Sequence, residues 1–192
     1  MQPNILKITK ADLDADNFYI GATEVSEQEF DGSIEIDANL GWVRFKGSLR
    51  AKLKINSLAG SGIEAGEGIE AGSGIKAGSG IEAGSGIEAG EGIEAGSGIK
   101  AGSGIKAGWG IEAGEGIKAG WGIKAGLGIK AGLKISAKWI AVRLRIFAGL
   151  CLWKIPSEEE TEIAAELREG AIAFGKHVPP AVVEEKEPEV QS

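Results

Sequence analysis

Cysteine, histidine, methionine and tyrosine each occur once in this chain of 192 residues, and there are only five prolines. A single cysteine, Cys151, cannot staple a secreted fold with disulfides, so a cytoplasmic home is expected. Set in the apolar run from Leu150 to Trp153, it reads as an inert buried thiol. The single histidine, His177, sits beside a proline-containing tail and reads as a surface residue. Long apolar runs are missing too. No stretch approaches the roughly 20 residues of a membrane span, and Met1 to Lys10 lacks the apolar core of a secretion signal. No catalytic, metal or nucleotide motif stands out. Glycines recur as Gly-x-Gly without the strand-to-helix setting of a phosphate loop, and the Asp-rich calcium repeat is absent. No enzyme activity, cofactor or metal is therefore expected.

What the chain has is glycine, 32 of them, most within one array. Twelve consecutive copies of Gly-Ile-(Glu/Lys)-Ala-Gly-x run from Gly62 to Leu133, with isoleucine at every sixth position from Ile63 to Ile129. Alternate side chains of a strand share a face, so Ile63 and Ala65 point inward while Glu64 meets solvent. Segments such as Gly66-Glu67-Gly68 then read as corners, with glycine tolerating positive φ. Collagen-like helices need glycine at every third position, but here the spacings alternate between four and two. The expected fold is all-β: a short-repeat β-solenoid whose stacked isoleucines form the core.

The array resembles the hexapeptide-repeat β-helices, among them certain acyltransferases and the polymerising bactofilins, and also an uncharacterised Gly-Ile-x-Ala-Gly repeat type. That resemblance implies a fold rather than an activity; an enzyme of the acyltransferase kind is the weakest of the functional alternatives, since those enzymes commonly use a histidine base. The family motif places a small residue two positions before the aliphatic one, pointing inward. Here that slot holds Glu67, Glu91, Glu115, Trp109 and Trp121, too large to share a narrow core.

Coils of 12 residues with two sides or of 18 residues with three both accommodate a six-residue unit. The two-sided coil orders the variable positions better. One outward column becomes Glu64, Lys76, Glu88, Lys100, Glu112, Lys124, an alternating ladder, and one corner column Ser73, Ser85, Ser97, Trp109, Trp121, Leu133.

The flanks divide the chain further. Residues 1–31 form an N-terminal cap, with Phe18, Tyr19, Ile20 and Phe30 available to cover the first coil. Residues 32–61 supply irregular leading strands, in which Leu49, Ala51, Leu53 and Ile55 alternate with Arg50, Lys52 and Lys54; residues 62–133 are the repeat solenoid. Residues 134–178 supply trailing strands, with Val142, Leu144 and Ile146 on one face, and a capping helix over 157–169. Ser157 is that helix's N-cap and Glu160 completes its capping box. Residues 179–192 read as a disordered acidic tail.

The net charge of −7 disfavours direct nucleic-acid binding. Its distribution is graded: residues 62–97 carry seven glutamates and one lysine, residues 98–133 two glutamates and five lysines. Two surfaces follow. The apolar slots Trp109, Trp121, Leu127 and Leu133 are a candidate interaction face, either for a partner or for self-association, unless the C-terminal segment folds over them. The acidic residues Glu64, Glu67, Glu70, Glu82, Glu88, Glu91 and Glu94 are a candidate nucleic-acid-mimicking face. The expected function is a non-enzymatic, self-associating scaffold or protein-interaction module, homo-oligomeric and without a membrane segment. The alternative is a mobile-element-type inhibitor that binds a basic nuclease or host defence complex.

Overall fold

Isoleucine recurring with period six, flanked by glycine, produces strands of only three residues joined by sharp corners. The computed structural model describes residues 4–21, 25 and 28–180, and the acidic segment from residue 181 lies outside them. In it the chain winds as a parallel β-solenoid of about eight turns. Within the array every strand pairs with the strand 18 residues away: Ile63 with Ile81, Ile87 with Ile105, Ile93 with Ile111. Each coil therefore has three sides made from three repeat units. The alternating ladder of a 12-residue coil does not form, and Glu64 stacks on Glu82 rather than on Lys76.

The first face stacks Val43, Ile63, Ile81, Ile99, Ile117 and Ile135. The second stacks Leu49, Ile69, Ile87, Ile105, Ile123 and Ile140. The third stacks Ile34, Ile55, Ile75, Ile93, Ile111, Ile129 and Ile146. Every array isoleucine is at most 2% exposed and every array alanine at most 6%, so together they fill a continuous core. We number the coils from the one beginning at Gly41–Phe45; coils two to five are the array, and Ile135–Phe147 is the sixth.

Hydrogen bonding does not stop at the corners. Ile63 N–H donates to Gly80 O (3.0 Å), Gly84 N–H to Ala65 O (2.9 Å) and Ser85 N–H to Glu67 O (3.0 Å), so bends and strands share one ladder. None of the array glycines has positive φ; the left-handed glycines are Gly41, Gly60, Gly149, Gly170 and Gly175. The expected reason for glycine was therefore wrong. The glycine after each alanine passes against the coil beneath: a Cβ on Gly84 or Gly90 would lie 2.0 Å from the carbonyl oxygen of Gly66 or Gly72. The glycine before the isoleucine is roomier in the middle of the array, with 3.4 Å from Gly86 and 3.5 Å from Gly92 to the nearest atom, and tight only where Trp42 or the sixth coil lies over it, as at Gly80, Gly122 and Gly128. One glycine of each pair is thus required by backbone approach.

At the N-terminal end Ile5–Ile8 pairs with Ser33–Ile36. Phe18 bridges to Arg44, Phe30 bridges to Ala51, and the Tyr19 ring lies 5.6 Å from that of Phe45, while Ile20 stays exposed. At the other end the reciprocal Ser157/Glu160 hydrogen bonds form, but Glu158 rather than Ser157 is the N-cap residue. Ser157 N–H donates to Glu160 Oε2 (3.0 Å) and Glu160 N–H to Ser157 Oγ (3.4 Å). They flank a single 3-10 turn, Glu159–Thr161, and no helix follows over 157–169. Glu162–Phe174 is instead a strand laid in parallel on Ile135–Phe147, with Ile163 over Ile135 and Leu167 over Ile140. An open strand edge offers a row of unpaired backbone groups, and satisfying it outweighs local helix propensity worth tenths of a kcal/mol per residue. Lys176–Val178 adds a last strand over Glu162–Ala164.

Alternation places Leu53 and Leu144 among buried neighbours, but in the structure they are 39% and 58% exposed. Each occupies a corner, where the chain turns from the second face to the third and the period of two lapses. Beyond Phe147 the apolar run leaves the sheet: Leu152, Trp153 and Ile155 are exposed, and Cys151 is half-buried and free rather than part of the core.

Candidate interaction surfaces

The side-chain rows outside the rod follow directly from the 18-residue register. Down the middle of the first face run Arg44, Glu64, Glu82, Lys100, Lys118 and Ser136. The second face carries Arg50, Glu70, Glu88, Lys106, Lys124 and Ala141. The third carries Glu35, Asn56, Lys76, Glu94, Glu112, Lys130 and Phe147. On each face two glutamates are stacked between two cations. Arg44 pairs with Glu64 (3.0 Å) and Lys100 with Glu82; Arg50 pairs with Glu70 (3.5 Å) and Lys106 with Glu88; Lys76 pairs with Glu94 (2.8 Å) and Lys130 with Glu112. On the first and second faces this makes bands, acidic at coils two and three and basic at coils four and five, while on the third the two glutamates sit one coil later, at coils three and four. The hydrogen bond from Lys100 to Glu82, helped by the same carboxylate's charge, raises the lysine's pKa.

The seven residues expected to make one acidic surface are therefore distributed around the rod. Glu64 and Glu82 lie on the first face, Glu70 and Glu88 on the second, Glu94 on the third, and Glu67 and Glu91 at corners. Five of them carry a basic partner, and Glu67 accepts a hydrogen bond from Ser48 Oγ (2.9 Å). The basic band is less evenly matched: among the described residues Lys118 and Lys124 have no acidic partner within ion-pair distance.

The four apolar candidates are also separated. Backbone ladders trace one corner, between the first and second faces, through Gly47, Glu67, Ser85, Ser103, Trp121 and Lys138. A second corner, between the second and third faces, runs through Leu53, Ser73, Glu91, Trp109, Leu127 and Leu144; the third runs through Ser61, Ser79, Ser97, Glu115 and Leu133. Trp109 and Leu127 share a corner, Trp121 stands on another and Leu133, half-buried, on the last. Leu144 extends the pair, giving a ridge in which Trp109, Leu127 and Leu144 are 58%, 49% and 58% exposed. No described segment folds over it. Trp121 is 56% exposed, with Lys138 Nζ 4.1 Å from its ring centroid. Sequence reasoning passed over Leu144 because the sixth coil is one residue shorter than those of the array; counting 17 from Leu127 would have found it.

The second face thus has an apolar rim on both sides. Its trough is lined by Glu70, Glu88, Lys106, Lys124, Trp121 and Trp139, and the Arg168 guanidinium lies 4.8 Å from the Trp139 ring centroid. His177, exposed near the C-terminal end, donates from Nε2 to Ala165 O (2.9 Å). No group of three or more metal-ligating side chains converges among the described residues. No helix there is long and apolar enough to cross a membrane. Comparisons with protein-family models, curated proteins and solved structures find no match for this chain.

Proposed function

We propose that this chain is a non-enzymatic contact module, a β-solenoid that works by associating with copies of itself. The observation that carries this reading is the exposed ridge Trp109, Leu127 and Leu144, three large apolar residues stacked along one corner of the rod. Contiguous apolar residues on a rigid surface favour burial against a partner. The six-residue unit and parallel coils are consistent with a kinship of architecture to hexapeptide-repeat β-helices, including polymerising ones. The inhibitor reading draws less support, because a phosphate mimic needs unpaired carboxylates on one side and these are ion-paired on three. Size-exclusion chromatography with light scattering tests the proposal across a concentration series. Wild type is expected to associate and a Trp109→Ser/Leu127→Ser/Leu144→Ser variant, folded by circular dichroism, to be shifted toward monomer. A wild-type protein monomeric at the highest attainable concentration would overturn it.

A further inference from the structure

We infer that the second face is a two-fold, antiparallel docking surface for a second copy of this chain, with coil three of one copy opposite coil four of the other. The inference rests on the self-association just proposed and adds the face, the direction and the register. Its starting point is a local defect. Stacked coils lie about 4.8 Å apart, so Glu70 over Glu88 and Lys106 over Lys124 place like charges side by side, an unfavourable arrangement within one copy. The same order is complementary to its own reverse. In an antiparallel stack centred between coils three and four, Glu88 meets the other copy's Lys106 and Glu70 meets its Lys124. Two-fold symmetry repeats both contacts, giving four, and supplies Lys124 with the acid it lacks. A parallel stack in register sets like on like. A parallel stack staggered by two coils pairs the same residues only once and leaves the ends open.

The rims choose among the faces. The first face has the same charge order but a shorter apolar rim, Trp121 on one side and Trp42 and Leu133 on the other, against Leu53, Trp109, Leu127 and Leu144 along one side of the second face. The third face lacks the order, because Asn56 and Lys76 precede Glu94 and Glu112. On the second face the proposed register brings Leu53 of each copy against Leu144 of the other, two residues that are otherwise 39% and 58% exposed. It also sets Trp109 over Glu91 and Trp121 over Glu67. Six coils by one face is roughly 25 Å by 16 Å, a flat contact near 400 Å² per copy or about 800 Å² in total, which is the size of a weak, transient complex rather than a stable one. The dimer is therefore expected to depend on concentration and to weaken with salt.

The test uses the full chain in a Cys151→Ser background. Gly47→Cys and Lys138→Cys stand opposite each other across the proposed interface, on the corner that carries Trp121, while each lies five coils, about 24 Å, from its own counterpart. A short bismaleimide is expected to join the two variants when they are mixed and to leave either alone largely uncoupled. A Lys106→Glu/Lys124→Glu variant and a Glu70→Lys/Glu88→Lys variant are each expected to dimerise roughly tenfold more weakly or worse, since four attractive contacts become repulsive. Mixing the two is expected to restore dimers. Dimers that form while Gly47→Cys couples to itself, or that ignore the charge reversals, would overturn the antiparallel face while leaving self-association standing. Absence of any wild-type dimer would instead remove the reading on which it rests.

Discussion

Replacing Gly90 by alanine should damage the rod, and the same change two residues later, at Gly92, should not. Neither residue has positive φ, so backbone strain does not separate them. A Cβ on Gly90 would lie 2.0 Å from Gly72 O and 3.0 Å from Gly72 C, atoms of the coil below that cannot rotate away. Reaching ordinary contact requires the coils to separate by more than 1 Å at that corner, judged against normal packing of about 3.4 Å. Overpacking of this kind costs about 1–3 kcal/mol. The displacement also strains Gly90 N–H to Ala71 O (3.0 Å) and Glu91 N–H to Ser73 O (2.9 Å), each worth about 0.5–1.5 kcal/mol. A loss of about 2–6 kcal/mol is expected. On Gly92 the nearest atom would be Gly110 O at 3.5 Å, while the unfolded chain loses freedom worth about 0.4–1 kcal/mol, so stability should hold or rise slightly. Urea unfolding followed by circular dichroism measures both variants. Equal midpoints for the two would refute the claim that backbone approach, rather than turn conformation, fixes one glycine of each pair.

Three further outcomes follow from the core and the caps. Ser57 takes the slot that array coils give to alanine, is 2% exposed, and its Oγ has no hydrogen-bond partner; Ser57→Ala should stabilise by about 1 kcal/mol in the same assay. Ile99→Ala, at a residue 1% exposed in mid-rod, should cost about 2–5 kcal/mol, whereas Ile5→Ala, at a residue 56% exposed, should have little effect on the unfolding midpoint. Acid should loosen the ends before the middle. The hydrogen bonds from Lys134 and Lys154 hold Glu162 and Glu160 below the usual carboxylate range, and the Thr9 N–H and hydroxyl do the same for Asp12. A lowered carboxylate contributes stability above its unfolded pKa near 4, and that contribution is lost as pH falls through the lower folded value. Hydrogen exchange compared at about pH 5 and pH 3 should show protection lost first around residues 9–12 and 157–164; loss beginning in the array would contradict this.

The sequence by itself determined the rod and its core. Ile and Ala at fixed offsets can share an interior only if the strands stack in register, and a charged residue between them must face solvent, whatever the number of sides. It could not determine that number, because six divides both 12 and 18 and local preference is identical in each. Three sides arise from closure in space, where isoleucines from three faces meet in one core. That closure also decided what the surface is. It converted an apparent alternating ladder into stacked pairs of like charge, divided seven glutamates among three faces and two corners, and aligned Trp109 with Leu127 and Leu144 while sending Trp121 and Leu133 to other corners. The same non-local logic drew Glu162–Phe174 into a strand. Its helix signals were local and weak, and the unpaired edge of the sixth coil was available only once the solenoid had formed.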